Sequence, residues 1–409
     1  MPHKRLIVVG GGAAGFFCAV NAARLNPKLQ VVLLEKSGKL LSKVKVSGGG
    51  RCNVTHACFD ITEMCKRYPR GTHFVKKSFH RFFTPDTIQW FKERKVELKT
   101  EADGRMFPVT DSSQTIINCL LDEAARYNVD VRLNADVKNF KKTPNGWLVE
   151  TAKGEQLTGS HICIACGGYP KLSMFEWLTS SGHTIEEPMP SLFTFNIPHH
   201  PITKLMGIVG ERVNIKIAGS KLIETGPVLI THWGLSGPAV LRLSAWGARE
   251  LAVANYQFTV IINWLIDYND QTLKKGFQSL RTSNPSKKIF NYNPGQLPHR
   301  LWQFLLAQSG VKDEIRFADL PARLENILIK NLVNYTVEIK GKTTFKEEFV
   351  TAGGIKLNEV DAQTMMSRKI PDLYFAGEIL DVDGITGGYN FQHAWTSGWI
   401  AANEIAKAN

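Results

Sequence analysis

A short, wholly apolar run, Leu6-Ile7-Val8-Val9, opens directly into Gly10-Gly11-Gly12-Ala13-Ala14-Gly15, and this junction constrains the fold more than any other stretch of the chain. Four apolar residues in a row suit the centre of a parallel sheet, buried on both faces. The glycines are spaced GxGxxG. Gly10 permits the tight turn, Gly12 lets a diphosphate approach the backbone, and Gly15 lets helix and strand pack closely. A helix from about Ala13 to Leu25 follows, ended by Pro27. Its N-terminus, at Ala13 and Ala14, offers unpaired N–H groups and partial positive charge to phosphates. Val31-Val32-Leu33-Leu34 reads as a second buried strand and ends at Glu35, 20 residues beyond Gly15. A carboxylate at that distance reaches ribose hydroxyls and disfavours a 2′-phosphate. Together these features predict an α/β dinucleotide-binding unit, with Lys36 at its edge.

Two further glycine-rich stretches bear on which dinucleotide is bound. Ser47-Gly48-Gly49-Gly50-Arg51-Cys52-Asn53 lets backbone approach a flat group. Leu373-Tyr374-Phe375-Ala376-Gly377-Glu378 reads as a strand ending in glycine and acid. Asp381 to Gly387, Gly388, Tyr389 and Asn390 follow, then a helix from about Gln392. In two-dinucleotide flavoproteins a late strand with this ending holds the ribitol. The next helix points its N-terminus at the flavin pyrimidine and stabilises the negative charge of the reduced ring. Taken alone, the segment also reads as one more strand–turn–helix unit. Taken with the first motif, it predicts FAD, contacted in addition at Ser47, Gly49, Gly50, Arg51, Cys52, Asn53 and Gly167.

At 409 residues the chain is long for one domain. The strand His161–Ala165 ends at Gly167-Gly168, and the character changes at Pro188-Met189-Pro190. Helical patterns run from Thr72 to Glu97 and from Ser113 to Tyr127. Short alternating strands fill Leu192–Ile217, Leu222–Ile230 and Tyr256–Ile262. Trp264–Leu328 is mostly helical, and the glycine-rich style returns at Thr351. The expected organisation is a Rossmann FAD domain over 1–188 and 351–409. Into it are inserted a β-rich lobe over 189–263 and 329–350 and a helical subdomain over 264–328.

No apolar run is long enough to span a bilayer. The N-terminus does not read as a signal peptide, and a cytoplasmic enzyme is expected. Seven cysteines suggest reduced thiols, with Cys163 and Cys166 in the core. Cys52, Cys58 and Cys65 with His56 match no zinc spacing, so no metal is expected. Net charge is +13. Residues 39–100 carry 14 Lys/Arg against 5 Asp/Glu, or +9, interleaved with Tyr68, Phe74, Phe79, Phe82, Phe83, Trp90 and Phe91. Such a stretch reads either as a nucleic-acid surface or as amphipathic helices with rings packed inward.

The blocks GGGAAG at 10–15, SGGGRCNVT at 47–55, GRMFP at 104–108, THWGLSGP at 231–238, TAGGI at 351–355 and LYFAGEILDVDGITGGYNFQ at 373–392 resemble one group of bacterial flavoproteins. These are the BaiN/RdsA-type NAD(P)/FAD-dependent oxidoreductases, and the resemblance spans essentially the whole chain. It implies a glutathione-reductase-like FAD domain, an inserted β-barrel lobe and a small helical subdomain. Many members carry a second glycine-rich stretch after the turn that matches Gly167-Gly168, where this chain has Tyr169 to Trp177. The activities implied are reduction of activated C=C bonds, including uridine to dihydrouridine in large-subunit ribosomal RNA. Aminoacetone oxidase or bile-acid reductase activity is the alternative.

Reduction over a flavin needs a bound substrate and a proton donor. Arg51, in a glycine loop, reads as a carbonyl or phosphate holder or as a partner of the FAD phosphate. Cys52 reads as a thiol acid or a small buried residue. His232, in a turn before a helix that Ser236 is expected to cap, is a second acid candidate or a structural residue. There is no second GxGxxG, so either NAD(P)H docks transiently at the flavin face or the electrons come from another source.

Overall fold

The computed structural model describes residues 4–343 and 350–408. The chain divides into two compact units, one of Met1–Ser191 with Phe345–Asn409, the other of Leu192–Thr344. The first is built on five parallel strands: β1 (Arg5–Val9), β2 (Gln30–Leu34), β3 (Asp130–Arg132), β4 (His161–Ile164) and β5 (Leu373–Phe375). Their order across the sheet is β5-β4-β1-β2-β3. The apolar runs of β1, β2 and β4 are buried, as the absence of alternation predicts.

Helix α1 (Ala13–Leu25) has the bounds read from the sequence. It packs along the last helix, α3 (Tyr389–Lys407). The two come close at Gly398, where a Cβ would lie 2.6 Å from the Ala14 carbonyl oxygen. Phe17 of α1 meets the rings of Trp90 and Trp395 at 4.5 and 5.2 Å.

The single helical pattern expected over Thr72–Glu97 is two helices, α2 (Thr72–Phe79) and Thr84–Lys92. Pro85 in the first turn and Asp86, which accepts from the Phe83 N–H at 2.7 Å, start the second one afresh. The seven aromatic rings of residues 68–91 are buried. The inward-packed reading therefore holds for them, and they offer no stacking face.

The second unit carries a seven-stranded sheet in the order Tyr335–Lys340, Gln257–Asn263, Val209–Ile217, Ile223–Ile230, Gly234–Ser236, Thr194–Asn196, Lys342–Thr343. Its two edge strands, Tyr335–Lys340 and Lys342–Thr343, are consecutive in the chain and joined through Gly341. Helices Asp270–Ser283, His299–Gln308 and Ala322–Val333 share one apolar core with this sheet, where Trp264, Phe277, Trp302 and Leu328 join Ile215 and Val260. Among the described residues no helix is long and apolar enough to cross a membrane.

Candidate cofactor site

The first unit holds a cleft of about 380 Å³ at the carboxyl end of its parallel sheet. Gly10, Gly12, Ala13 and Ala14 line one part, with Glu35 and Lys36 beside them; Ser47, Gly167, Gly377, Glu378 and Asn390 complete the expected residues found there. A Cβ on Gly15 would collide with the Gly10 carbonyl oxygen, so this glycine serves close packing rather than the cleft itself. A Cβ on Gly12 would meet nothing within 4 Å. No side chain caps α1, whose N-cap is Gly12, and none caps α3, whose N-cap is Gly388. Both helices leave N-terminal amides for another acceptor.

The acids do more than face the cleft. Glu35 accepts from the Gly11 N–H at 2.9 Å and from the Ser37 N–H and hydroxyl at 2.8 Å each. Glu378 accepts from Lys43 at 2.5 Å and from the Thr351 N–H at 2.8 Å. His393, one turn into α3, also lines the cleft and is 2% exposed. Its Nε2 lies 3.3 Å from the Gly377 carbonyl oxygen, while among the described residues Nδ1 has no partner. Burial lowers this imidazole to about 4, the Gly377 carbonyl opposing in part. It is therefore a neutral ring with one bare acceptor nitrogen.

The loop before α3 is held from several sides. Asp381 accepts from the Gly353 N–H at 2.9 Å, and Asn390 clamps both the N–H and the C=O of Gly384 at 2.8 Å. The Tyr68 hydroxyl donates to the Tyr389 carbonyl at 2.6 Å. Asn53, with its amide turned to satisfy both neighbours, donates to the Thr55 carbonyl and accepts from the Gly388 N–H, each at 3.0 Å. A Cβ on Gly388 would lie 2.5 Å from the Thr55 carbonyl oxygen, and its φ of +93° also favours glycine. Buried Asp383 pairs with Arg70 and accepts from Ser191.

Other expected residues sit in different surroundings. Arg51 donates to Glu101 at 2.5 Å, lies 3.6 Å from Asp111 and stacks 4.0 Å from the Phe107 ring centroid. Its charge is thus already answered. Cys52 is fully buried, and burial pushes its thiol up to about 12, which makes it a poor acid. Tyr389 turns its ring inward, 4.8 Å from that of His56. Gly49, Gly50, Arg51, Cys52, Asn53, Gly387, Gly388 and Tyr389 stand outside the lining of the cleft. His232 is exposed in the second unit, against Trp233, and its helix begins at Pro238 with Gly237, not Ser236, at the cap position. Cys163 is core, but Cys166 lines the cleft.

The sequence reading missed His56 and His393. His56 Nδ1 lies 3.0 Å from the Gly387 carbonyl, and burial lowers the pKa of this half-buried ring. No local signal set His393 apart, because its neighbours Gln392, Thr396 and Ser397 are polar and buried as well.

Residues 4–404 match the model of the HI0933-like protein Rossmann domain. The chain belongs to the HI0933-like family. It is an FAD-dependent oxidoreductase by that membership, as the resemblance implied. HI0933-like relatives include the ribosomal RNA dihydrouridine synthase of Escherichia coli strain K12, 31% identical over 98% of both chains. The 3-dehydro-bile acid delta(4,6)-reductase of Clostridium scindens is 28% identical over 99% of both. Among solved structures, the HI0933-like chain is similar to a 3-ketosteroid delta1-dehydrogenase of Sterolibacterium denitrificans. The TM-score is 0.53 at 13% identity, covering 99% of this chain and 100% of that one. A flavocytochrome c3 fumarate reductase gives 0.52 at 16% identity over 99% and 78%. These two likenesses concern the fold.

Proposed function

We propose that the chain binds FAD in this cleft and uses it to reduce the activated double bond of a uridine in large-subunit ribosomal RNA, with NAD(P)H as transient electron donor. The observation that carries the flavin reading is the unpartnered, buried Nδ1 of His393 in a cleft bordered by two uncapped helix N-termini. A buried acceptor without a donor is costly, and a ligand hydroxyl or imide N–H removes that cost. Gly12, Ala13 and Ala14 would hold the diphosphate and Glu35 a ribose. His393 would accept from the ribitol or the ring. When bound, FAD supplies hydride transfer to the double bond. Support for uridine comes from the likeness to the E. coli synthase over nearly the full length of both chains.

Reduction also needs a proton for the second carbon. The Arg51 charge is already answered and the Cys52 thiol is a poor acid; His56, which like them stands outside the cleft lining but braces the loop before α3, takes that role in our reading. Its Nδ1–H donates to the Gly387 carbonyl, which leaves Nε2 to take up and release a proton. Anaerobic stopped flow tests the scheme. NADH or NADPH should bleach the flavin of His56→Asn as fast as that of the wild type. Reoxidation by a ribosomal RNA fragment should slow by about 100-fold, with dihydrouridine read by mass spectrometry. Absence of bleaching by either nucleotide removes NAD(P)H. Turnover of a bile-acid enone with unchanged RNA replaces uridine by a small molecule.

A further inference from the structure

With the rings of residues 68–91 buried, the cations of this region must be judged by what the fold leaves outside. On α2, His73, Lys76, Lys77 and His80 recur at i, i+3, i+4 and i+7, and all four are exposed. They form one stripe along the helix. Phe74, Val75, Ser78 and Phe79 fill the opposite face. The helix contains no acidic residue. Lys66 and Arg81, which flank it, are answered by Glu63 and Glu404. Among the described residues Arg67, Lys76 and Lys77 have no such partner. Like charges on one face repel, so the stripe is relieved by an anionic occupant.

An exposed ring lies close to Arg67 in the chain. Phe59, in the connector before the short helix Ile61–Cys65, is 63% exposed. The Arg67 guanidinium lies within electrostatic reach of Cys58 and of His56. The same turn braces the glycine loop at the cleft, because the Arg67 carbonyl accepts from the Ile385 N–H at 2.9 Å. An exposed ring next to unanswered cations is the arrangement that holds a single strand, with phosphates on the charges and a base on the ring. In a paired duplex the base faces are already stacked.

We propose that Phe59, Arg67, Lys76 and Lys77 form the docking surface for a single-stranded RNA segment that leads into the site. The inference rests on the RNA reading above. The test is fluorescence anisotropy of the FAD-loaded full chain with a labelled single-stranded 20-nucleotide RNA, and with the same strand in a duplex, over a range of salt. Lys76→Gln with Lys77→Gln should weaken single-strand binding about tenfold at low salt. It should also make the slope of log K against log salt shallower by about 1.4. Phe59→Ala should weaken binding about fivefold and leave the slope unchanged. Lys274→Gln with Lys275→Gln, an exposed lysine pair on helix Asp270–Ser283, is the control and should bind as wild type. Unchanged flavin content and melting temperature certify each variant as folded.

If the wild type binds neither RNA, the RNA reading itself is overturned. If the wild type binds but the Lys76/Lys77 and Phe59 variants bind equally well, or the control falls as far as they do, only the docking surface is overturned. Equal affinity for the duplex overturns the role given to Phe59.

Discussion

Asp383→Ala is expected to lower the unfolding free energy by about 3–5 kcal/mol, whereas Ser191→Ala lowers it by about 1 kcal/mol. The Asp383 side chain is fully buried and that of Arg70 is 11% exposed, so neither keeps much of its hydration. Burial raises the Asp383 carboxyl, with Arg70 and Ser191 pulling it back. The pair is therefore weak evidence of net stabilisation, but breaking it from one side leaves a mostly buried guanidinium without its carboxylate. Replacing both partners, Arg70→Leu with Asp383→Leu, should recover much of the loss. Chemical denaturation of the four proteins checks this, and an Asp383→Ala variant as stable as Ser191→Ala would contradict it. The same change should loosen the loop that presents α3, because Asp383 stands between the Asp381 and Gly384 anchors. Flavin affinity should fall with it.

Anchors of this kind mark where the sequence stops being legible. The first βαβ unit is written locally: apolar runs set β1 and β2, the glycine spacing sets the turn, and Pro27 ends α1. The glycine loops were also visible as loops. Their fastenings were not, because Arg70 and Asp383 are 313 residues apart and no period links them. For the same reason Arg51 looked available until Glu101 and Phe107 closed on it. His56 looked like a failed metal ligand until Gly387 was brought to its Nδ1. The break within Thr72–Glu97 was legible in principle, since Thr84-Pro85-Asp86 is a helix start, but the apolar spacing ran through it. Cationic spacing misled in the opposite way. The rings and charges of residues 39–100 interleave in sequence, and helical geometry then sends the rings of residues 68–91 inward.

His393 carries the other large effect, and it is a function of pH. An ordinary imidazole titrates near 6.5, and burial brings this one to about 4. Between those values the unfolded chain takes a proton that the folded chain refuses, so the unfolded state gains as pH falls. Stability tied to this group is complete above about pH 6.5 and declines to a floor near pH 4. The loss is about 3.5 kcal/mol, at 1.4 kcal/mol per unit of displacement. His393→Phe and His393→Gln both abolish the titration, so each should lose less stability than the wild type from pH 7 to pH 4. They should part company over the cofactor. Glutamine keeps an acceptor oxygen for a donor in the cleft, and phenylalanine does not. His393→Phe is therefore expected to bind FAD about tenfold more weakly, with His393→Gln close to wild type. Flavin titration of the apoproteins reads that difference directly. Equal affinity of the two variants would mean that Nδ1 meets no donor on the cofactor, even if the acid-dependent loss of stability behaves as described.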